Sequence, residues 1–181
     1  MKGCISVNKR DNTTIQIILG RRSIRKFTQD TVDQDIVDIL LESAFAAPSA
    51  HNRRPCHFIV VQQREVLDKL AEAHDSGKML HESPLAIAVC ADTLSCPEED
   101  LAWIEDGAAA LENILLAARA FGLEGVWLKV MDRHPREELV TPILAVPDGV
   151  KVIGIAALGY PAEHKAPHEG VNKERVHREK W

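Results

Sequence analysis

Residues 106–121, DGAAALENILLAARAF, are apolar over most of the circumference of a helix, so this segment must be enclosed on nearly every side. Enclosing it takes one substantial core, and 181 residues suffice for one such domain but not two. The segments around it read as strands. HFIVVQ (57–62), LAIAVCA (85–91), GVWLKV (125–130) and VKVIGIAALG (150–159) are short, apolar and rich in β-branched residues. Helical spacing predicts helices over 13–22, over 31–47 behind an Asp33 cap, over 64–73 and over 136–144. The central helix is predicted over 98–121, stopped by Gly122. Two helices precede any strand and helices outnumber crossovers, which implies an α+β or α/β sandwich. With no internal repeat and no flexible linker, 1–181 reads as a single domain, with extensions at 1–12 and 162–181.

Several function classes are excluded early. Lys and Arg number 22 against 27 Asp and Glu, a formal net charge of -5, which gives no general attraction for nucleic acid or an anionic membrane. The longest apolar runs, such as 152–160, are shorter than the roughly 18 residues a membrane helix needs. Asn8, Lys9 and Arg10 interrupt the N-terminal apolar stretch, so no signal-peptide core forms and a cytoplasmic protein is expected. Cys4, Cys56, Cys90 and Cys96 are few and widely spaced, as suits reduced thiols. Neither a GxSxG elbow, an HExxH motif nor a Gly-rich loop leading to Lys-Ser or Lys-Thr is present. Gly154 and Gly159 fit close strand packing, because Tyr160 and Pro161 cannot open a phosphate-binding helix. His164 and His168 are separated by Pro167 and read as solvated, not as metal ligands. The pairs Glu98/Glu99, Glu105/Asp106 and Glu137/Glu138 lie near helix starts, where negative charge complements the dipole.

What remains is RRSIRKF at 21–27. Three Arg and one Ser in five positions of an acidic chain suit a phosphate or another anion gripped by guanidinium forks. A solvated basic face has the same composition. These residues alone leave the two readings open.

Taken with its neighbours, the motif carries a resemblance. RRSIRKF, then APSAHNRRP, the Ala-rich helix, GLEGVW, and ALGYPAE with a terminal VHREKW follow one another in the order found in the FMN-dependent nitroreductase family. The likeness runs from Thr14 to Trp181. It implies a three-layer α-β-α sandwich on a mixed sheet, in an intertwined homodimer that exchanges the C-terminal arm 162–181 and holds FMN at the subunit interface. Matched residue by residue, Arg21 and Lys165 would contact the phosphate, Ser23 the ribityl side, Arg22 the flavin edge, and Arg25 the N1/O2 region. Pro48, Ser49 and Asn52 match the segment that the other subunit lays against the ring. Trp127, Leu128 and Lys129 match the stretch whose backbone lies over it, with one N–H facing N5. Two departures are visible: Arg54-Pro55-Cys56 stands where relatives often have Gln-Pro-Trp, and 92–100 is too short for an elaborate lid.

The implied activity is that of an NAD(P)H-dependent oxidoreductase reducing nitroaromatic, quinone or similar electron-poor acceptors by a ping-pong hydride mechanism through flavin N5. No acid or base side chain is assigned to catalysis. Arg25 would tune the flavin, because reduced FMN carries negative charge at N1/O2. Dehalogenation is a specialised variant of the same chemistry. The same contacts would serve a non-catalytic FMN storage or sensing protein, so that alternative stays open.

Overall fold

Four strands, β1 (Cys56–Val61), β2 (Leu85–Asp92), β3 (Glu124–Lys129) and β4 (Val150–Gly159), form one sheet in the order β1-β2-β4-β3. Five helices accompany them: α1 (Thr13–Gly20), α2 (Gln34–Phe45), α3 (Arg64–Ala73), α4 (Ala102–Ala120) and α5 (Arg136–Ile143). The computed structural model describes residues 9–97, 100–166 and 168–181, so Cys4, Pro167 and the Glu98/Glu99 pair lie outside the described residues.

The expected mixed sheet is corrected: all three strand pairings are antiparallel. The reason lies in the connections. α3 is inserted between β1 and β2, and α5 between β3 and β4, and each excursion returns the chain to the end it left. Val61 therefore pairs with Ala86, and Lys129 with Gly154, as in two enlarged hairpins. The parallel component is a single bridge from Ser23 to Gly125 at the outer edge of β3.

Strand residues alternate between two apolar clusters. Ala86, Ala88, Ile155 and Ala157 join Leu67, Leu70, Val140 and Leu144 of the α3/α5 side. Leu85, Ile87, Ala156 and Leu158 join Val37, Leu40, Leu111 and Ile114 of the α2/α4 side. α4 runs close to the sheet. A Cβ on Gly107 would lie 1.9 Å from Ile153 Cδ1, so any larger residue there would have to push the Ile153 side chain aside. Ile153 is the extra residue of a bulge: Val89 pairs with Gly154 and Cys90 with Val152.

Helix ends differ slightly from expectation. α1 stops at Gly20 because Arg21 turns extended (φ −57°, ψ 134°). α4 begins at Ala102, whose N–H donates to Asp100 Oδ1 at 2.9 Å. Asp33 occupies the N-cap position of α2, where its backbone rather than its side chain accepts the first bonds. Beyond Ala166 the arm has little to rest on: Val171, Val176 and Trp181 are exposed, and Trp181 stacks only on His177.

Candidate cofactor site

The arginine motif is built against the edge of β3. Ile24 N–H donates to Gly125 O at 3.1 Å, while Ile24 and Phe27 plug into the α3/α5-side core. That spacing leaves Arg21 and Arg25 outside the core. Thr28 N–H donates to Tyr160 O at 2.9 Å and Ala162 N–H to Lys26 O at 2.8 Å, so the start of the arm is tied alongside the motif. Arg22 ties it further, through Nε to Ala166 O at 2.7 Å and Nη1 to Arg21 O at 2.6 Å and Leu19 O at 3.1 Å. Its remaining nitrogen, Nη2, is buried without a partner among the described residues. Lys165 donates to Ser23 O and lies 3.5 Å from Glu163 Oε1.

Charge is uneven here. Arg21, Arg22, Arg25 and Lys165 face two acids, Glu112 and Glu163. The Arg21–Glu112 contact, 3.4 Å between half-exposed groups, is a weak pair. Arg25 N–H donates to Glu163 Oε1 at 2.6 Å, and that bond, helped by nearby Lys165, holds the Glu163 carboxyl below its ordinary range. A surplus of donors is left for an anion.

Next to this cluster runs an open strand edge. Val130 N–H donates inward to Ile153 O, whereas Gly125 O accepts from Ile24 on the outer side. By the two-residue period of a strand, Trp127 and Lys129 also turn their backbone groups outward. The Lys129 carbonyl accepts from His74 Nε2 and Arg136 Nη1, both at 3.0 Å. By the same period the N–H groups of Trp127 and Lys129 face this outer side. Leu128 is buried in the α3/α5-side core, and the Trp127 ring packs on the α2/α4 side with Nε1 buried and unpaired.

Pro48, Ser49 and Asn52 form a separate group. His51, Asn52 and Arg54 all adopt positive φ (52°, 56°, 52°), a conformation non-glycine residues hold only when their surroundings impose it. The restraints are visible. Ala50 N–H donates to Asp106 Oδ1 at 2.9 Å, Arg54 N–H to Ser49 Oγ at 3.0 Å, and Arg54 Nε to Asn52 Oδ1 at 2.8 Å. Arg53 pairs with Asp100. Arg54, a departure in the sequence, thus fixes the Asn52 side chain. Cys56 lines a pocket of about 100 Å³ beneath Pro48 and Ser49, and burial, then the Asp106 charge, pushes its thiol up to about 11. Such a thiol is not a nucleophile.

Within one chain the two groups stay apart. The first meets α4 at Glu112 and the second at Asp106, six residues earlier, which is about 9 Å along the axis and about 120° around it. Sequence reasoning missed Asp106, Glu163 and His74. Asp106 carries a signal, an acid inside an apolar helix, which by position alone reads as a dipole complement; it is buried at 7% exposure and holds the strained loop. Glu137 and Glu138 do occupy the first turn of α5. His164 and His168 are exposed.

Comparison with known proteins matches this geometry to a family. The family model described as Nitroreductase family matches residues 18–78, which include both the arginine motif and the strained loop. A protein of Archaeoglobus fulgidus, provisionally named NADH dehydrogenase/NAD(P)H nitroreductase, is 42% identical over 171 residues, covering 92% of this chain and 98% of the relative. The chain belongs to the nitroreductase family. The structure of an FMN-dependent nitroreductase from Clostridium difficile superposes with a TM-score of 0.86 at 31% identity, over 92% of this chain and 99% of that one. A provisionally named nitroreductase from Desulfovibrio desulfuricans, solved in complex with FMN, gives 0.82 at 29% identity, over 94% and 99%. Among its described residues the chain has four antiparallel strands and five α-helices, and no helix there is long and apolar enough to cross a membrane.

Proposed function

We propose that this protein is an NAD(P)H-dependent FMN oxidoreductase that reduces small electron-poor acceptors, nitroaromatics or quinones, in a ping-pong cycle. The observation that carries the reading is the placement of unused donors. Arg21, Arg25, Lys165 and the orphaned Arg22 Nη2 stand beside a strand edge to whose outer side Trp127 and Lys129 turn their N–H groups. A phosphate-bearing flavin needs this combination: cationic donors at one end and neutral backbone donors along the ring. The residues present fit FMN.

Bound there, FMN would supply two-electron hydride chemistry at N5. Arg21 and Lys165 would hold the phosphate, with Ser23 on the ribityl side. Arg25 would place positive charge at the pyrimidine edge. Arg22 secures the start of the arm to the motif. The strained loop supports a dimeric site, since Pro48, Ser49 and Asn52 cannot join the first group within one chain. A second copy bringing them across would complete it, in an intertwined homodimer of three-layer α-β-α sandwiches with the arm 162–181 exchanged.

The purified protein should be yellow and release one FMN per chain on denaturation. NAD(P)H should bleach the bound flavin, and a nitroaromatic or quinone should restore the colour. Recovery of FAD, or of no flavin after reconstitution with excess FMN, overturns the reading. Bound FMN that NAD(P)H leaves oxidised points instead to storage or sensing.

A further inference from the structure

The open edge of β3 ends in a lock. His74, the residue that follows α3, is 1% exposed, yet it carries no apolar role. Its Nε2 lies 3.0 Å from Lys129 O, and its Nδ1 accepts from Ser76 N–H at 3.2 Å. The pattern defines the tautomer: Nδ1 is the acceptor, so Nε2 bears the hydrogen and donates to the strand. The same carbonyl takes a second donor from Arg136, the first residue of α5. Arg136 is itself oriented by Asp75 and reaches Ser76 Oγ at 3.4 Å. On the far side of this peptide group, Val130 N–H donates to Ile153 O at the bulge. The 129–130 peptide is thereby held from α3, α5 and β4 at once, immediately after the two outward-facing N–H groups.

We infer that His74 is a positioning residue for the cofactor: through the Lys129 carbonyl it sets where the Trp127 and Lys129 N–H groups stand. This rests on the proposed reading of β3 as the flavin-facing edge. A strand edge without a neighbour twists and frays, and among the described residues β3 is paired on its outer side only by the bridge at Gly125. His74 and Arg136 anchor the other end, leaving a short span of fixed position between the two ties. Fixing donors in advance is what lets them act on a bound group without reorganisation.

The lock also responds to acid. Burial pushes the His74 imidazole below its ordinary protonation range, with the neighbouring Arg136 charge acting the same way and the Lys129 carbonyl and Asp75 opposing. When Nδ1 does take a proton it can no longer accept from Ser76 N–H, and an imidazolium then stands against Arg136. The charged groups facing the ring are Arg136 from α5 and Asp75 from its own loop. The lock therefore holds above the ordinary histidine range and loosens as pH falls.

Two variants of the full-length protein test this. His74→Leu keeps the bulk and removes the donor, while His74→Gln places an amide nitrogen near the position of Nε2. In His74→Leu, FMN should bind roughly threefold to tenfold more weakly, the factor for one lost hydrogen bond, and the midpoint potential of the bound flavin should shift. His74→Gln should recover much of both, and should lose the acid-side weakening of FMN binding shown by the wild type. Amide exchange at Val130, whose N–H is bonded to Ile153 O in the locked peptide, followed in the apo protein, should quicken in His74→Leu and not in His74→Gln. A wild type that binds no FMN overturns the reading of β3 and the inference with it. FMN bound normally by the wild type, with affinity, potential and Val130 exchange all unchanged in His74→Leu, overturns the inference alone. A lower melting temperature in His74→Leu with the flavin potential unmoved also overturns it, because that marks a purely structural histidine.

Discussion

Gly154→Ala tests how closely the sheet is packed beneath the proposed cofactor edge. Gly154 pairs with Lys129, and a Cβ there would lie 2.6 Å from Trp127 Nε1, 3.1 Å from Trp127 Cδ1 and 2.9 Å from Leu128 O. The indole can swing away at some cost in rotamer energy, but Leu128 O belongs to the paired strand and moves only if β3 moves. Overpacking of this kind costs about 1–3 kcal/mol. The alanine also narrows the unfolded ensemble, which stabilises by about 0.4–1 kcal/mol. The clash is the larger effect, and the two ranges together give a net loss of roughly 0–2.6 kcal/mol. Urea unfolding of the apo protein at fixed concentration measures it as a lower midpoint with unchanged slope. Adding Trp127→Leu should recover part of the loss and no more, because the carbonyl contact persists. A Gly154→Ala midpoint above the wild-type value refutes the reasoning, since β3 and β4 would then have room for a methyl group. FMN retention should fall with stability, because the displaced strand carries the outward-facing N–H groups.

Other outcomes follow from the site. Arg21→Ala should weaken FMN binding without moving its potential, as the phosphate is the same in both redox states, whereas Arg25→Ala should lower the potential by tens of millivolts, the equivalent of about 1–3 kcal/mol. Potentiometry on both loaded variants decides; an unmoved Arg25→Ala with a lowered Arg21→Ala reverses the assigned roles. Removing 162–181 should abolish both dimer and bound flavin, because Lys165 and the Ala166 tie are lost with it; a flavin-loaded monomer by light scattering contradicts this. His81 bridges Asp68 at 3.0 Å and Glu72 at 3.1 Å, and the bond to Asp68 leads in raising its protonation range above the ordinary 6.5. Its contribution is fully present below 6.5 and is lost as pH rises through the raised value, so denaturation of His81→Gln should differ from wild type near pH 6 and converge with it in alkali.

Much of this protein is set by local chemistry that a sequence displays. The strand at 150–159 and the helix at 64–73 have the predicted bounds, because an apolar β-branched run and a 3.6-residue stripe are each written in neighbouring residues. The density of arginine at 21–25 is likewise displayed by neighbouring residues, but those residues alone leave an anion site and a solvated face equally open. Strand direction was not legible: it depends on where the chain returns after α3 and α5, which no local pattern encodes. The strained loop shows the same division. Pro48 and Pro55, bracketing Ser49, His51 and Asn52, announce a break in the helix, but His51 is held at positive φ in a loop anchored by Asp106, a residue 55 positions away in a helix whose composition reads as plain core. His74 is the extreme case, a polar residue among polar neighbours whose role exists only once Lys129 and Arg136 are brought to it. Sequence determines which groups can donate, accept or be buried; tertiary structure decides which of them meet, because a hydrogen bond is made over 3 Å of space between residues whose separation along the chain carries no signal.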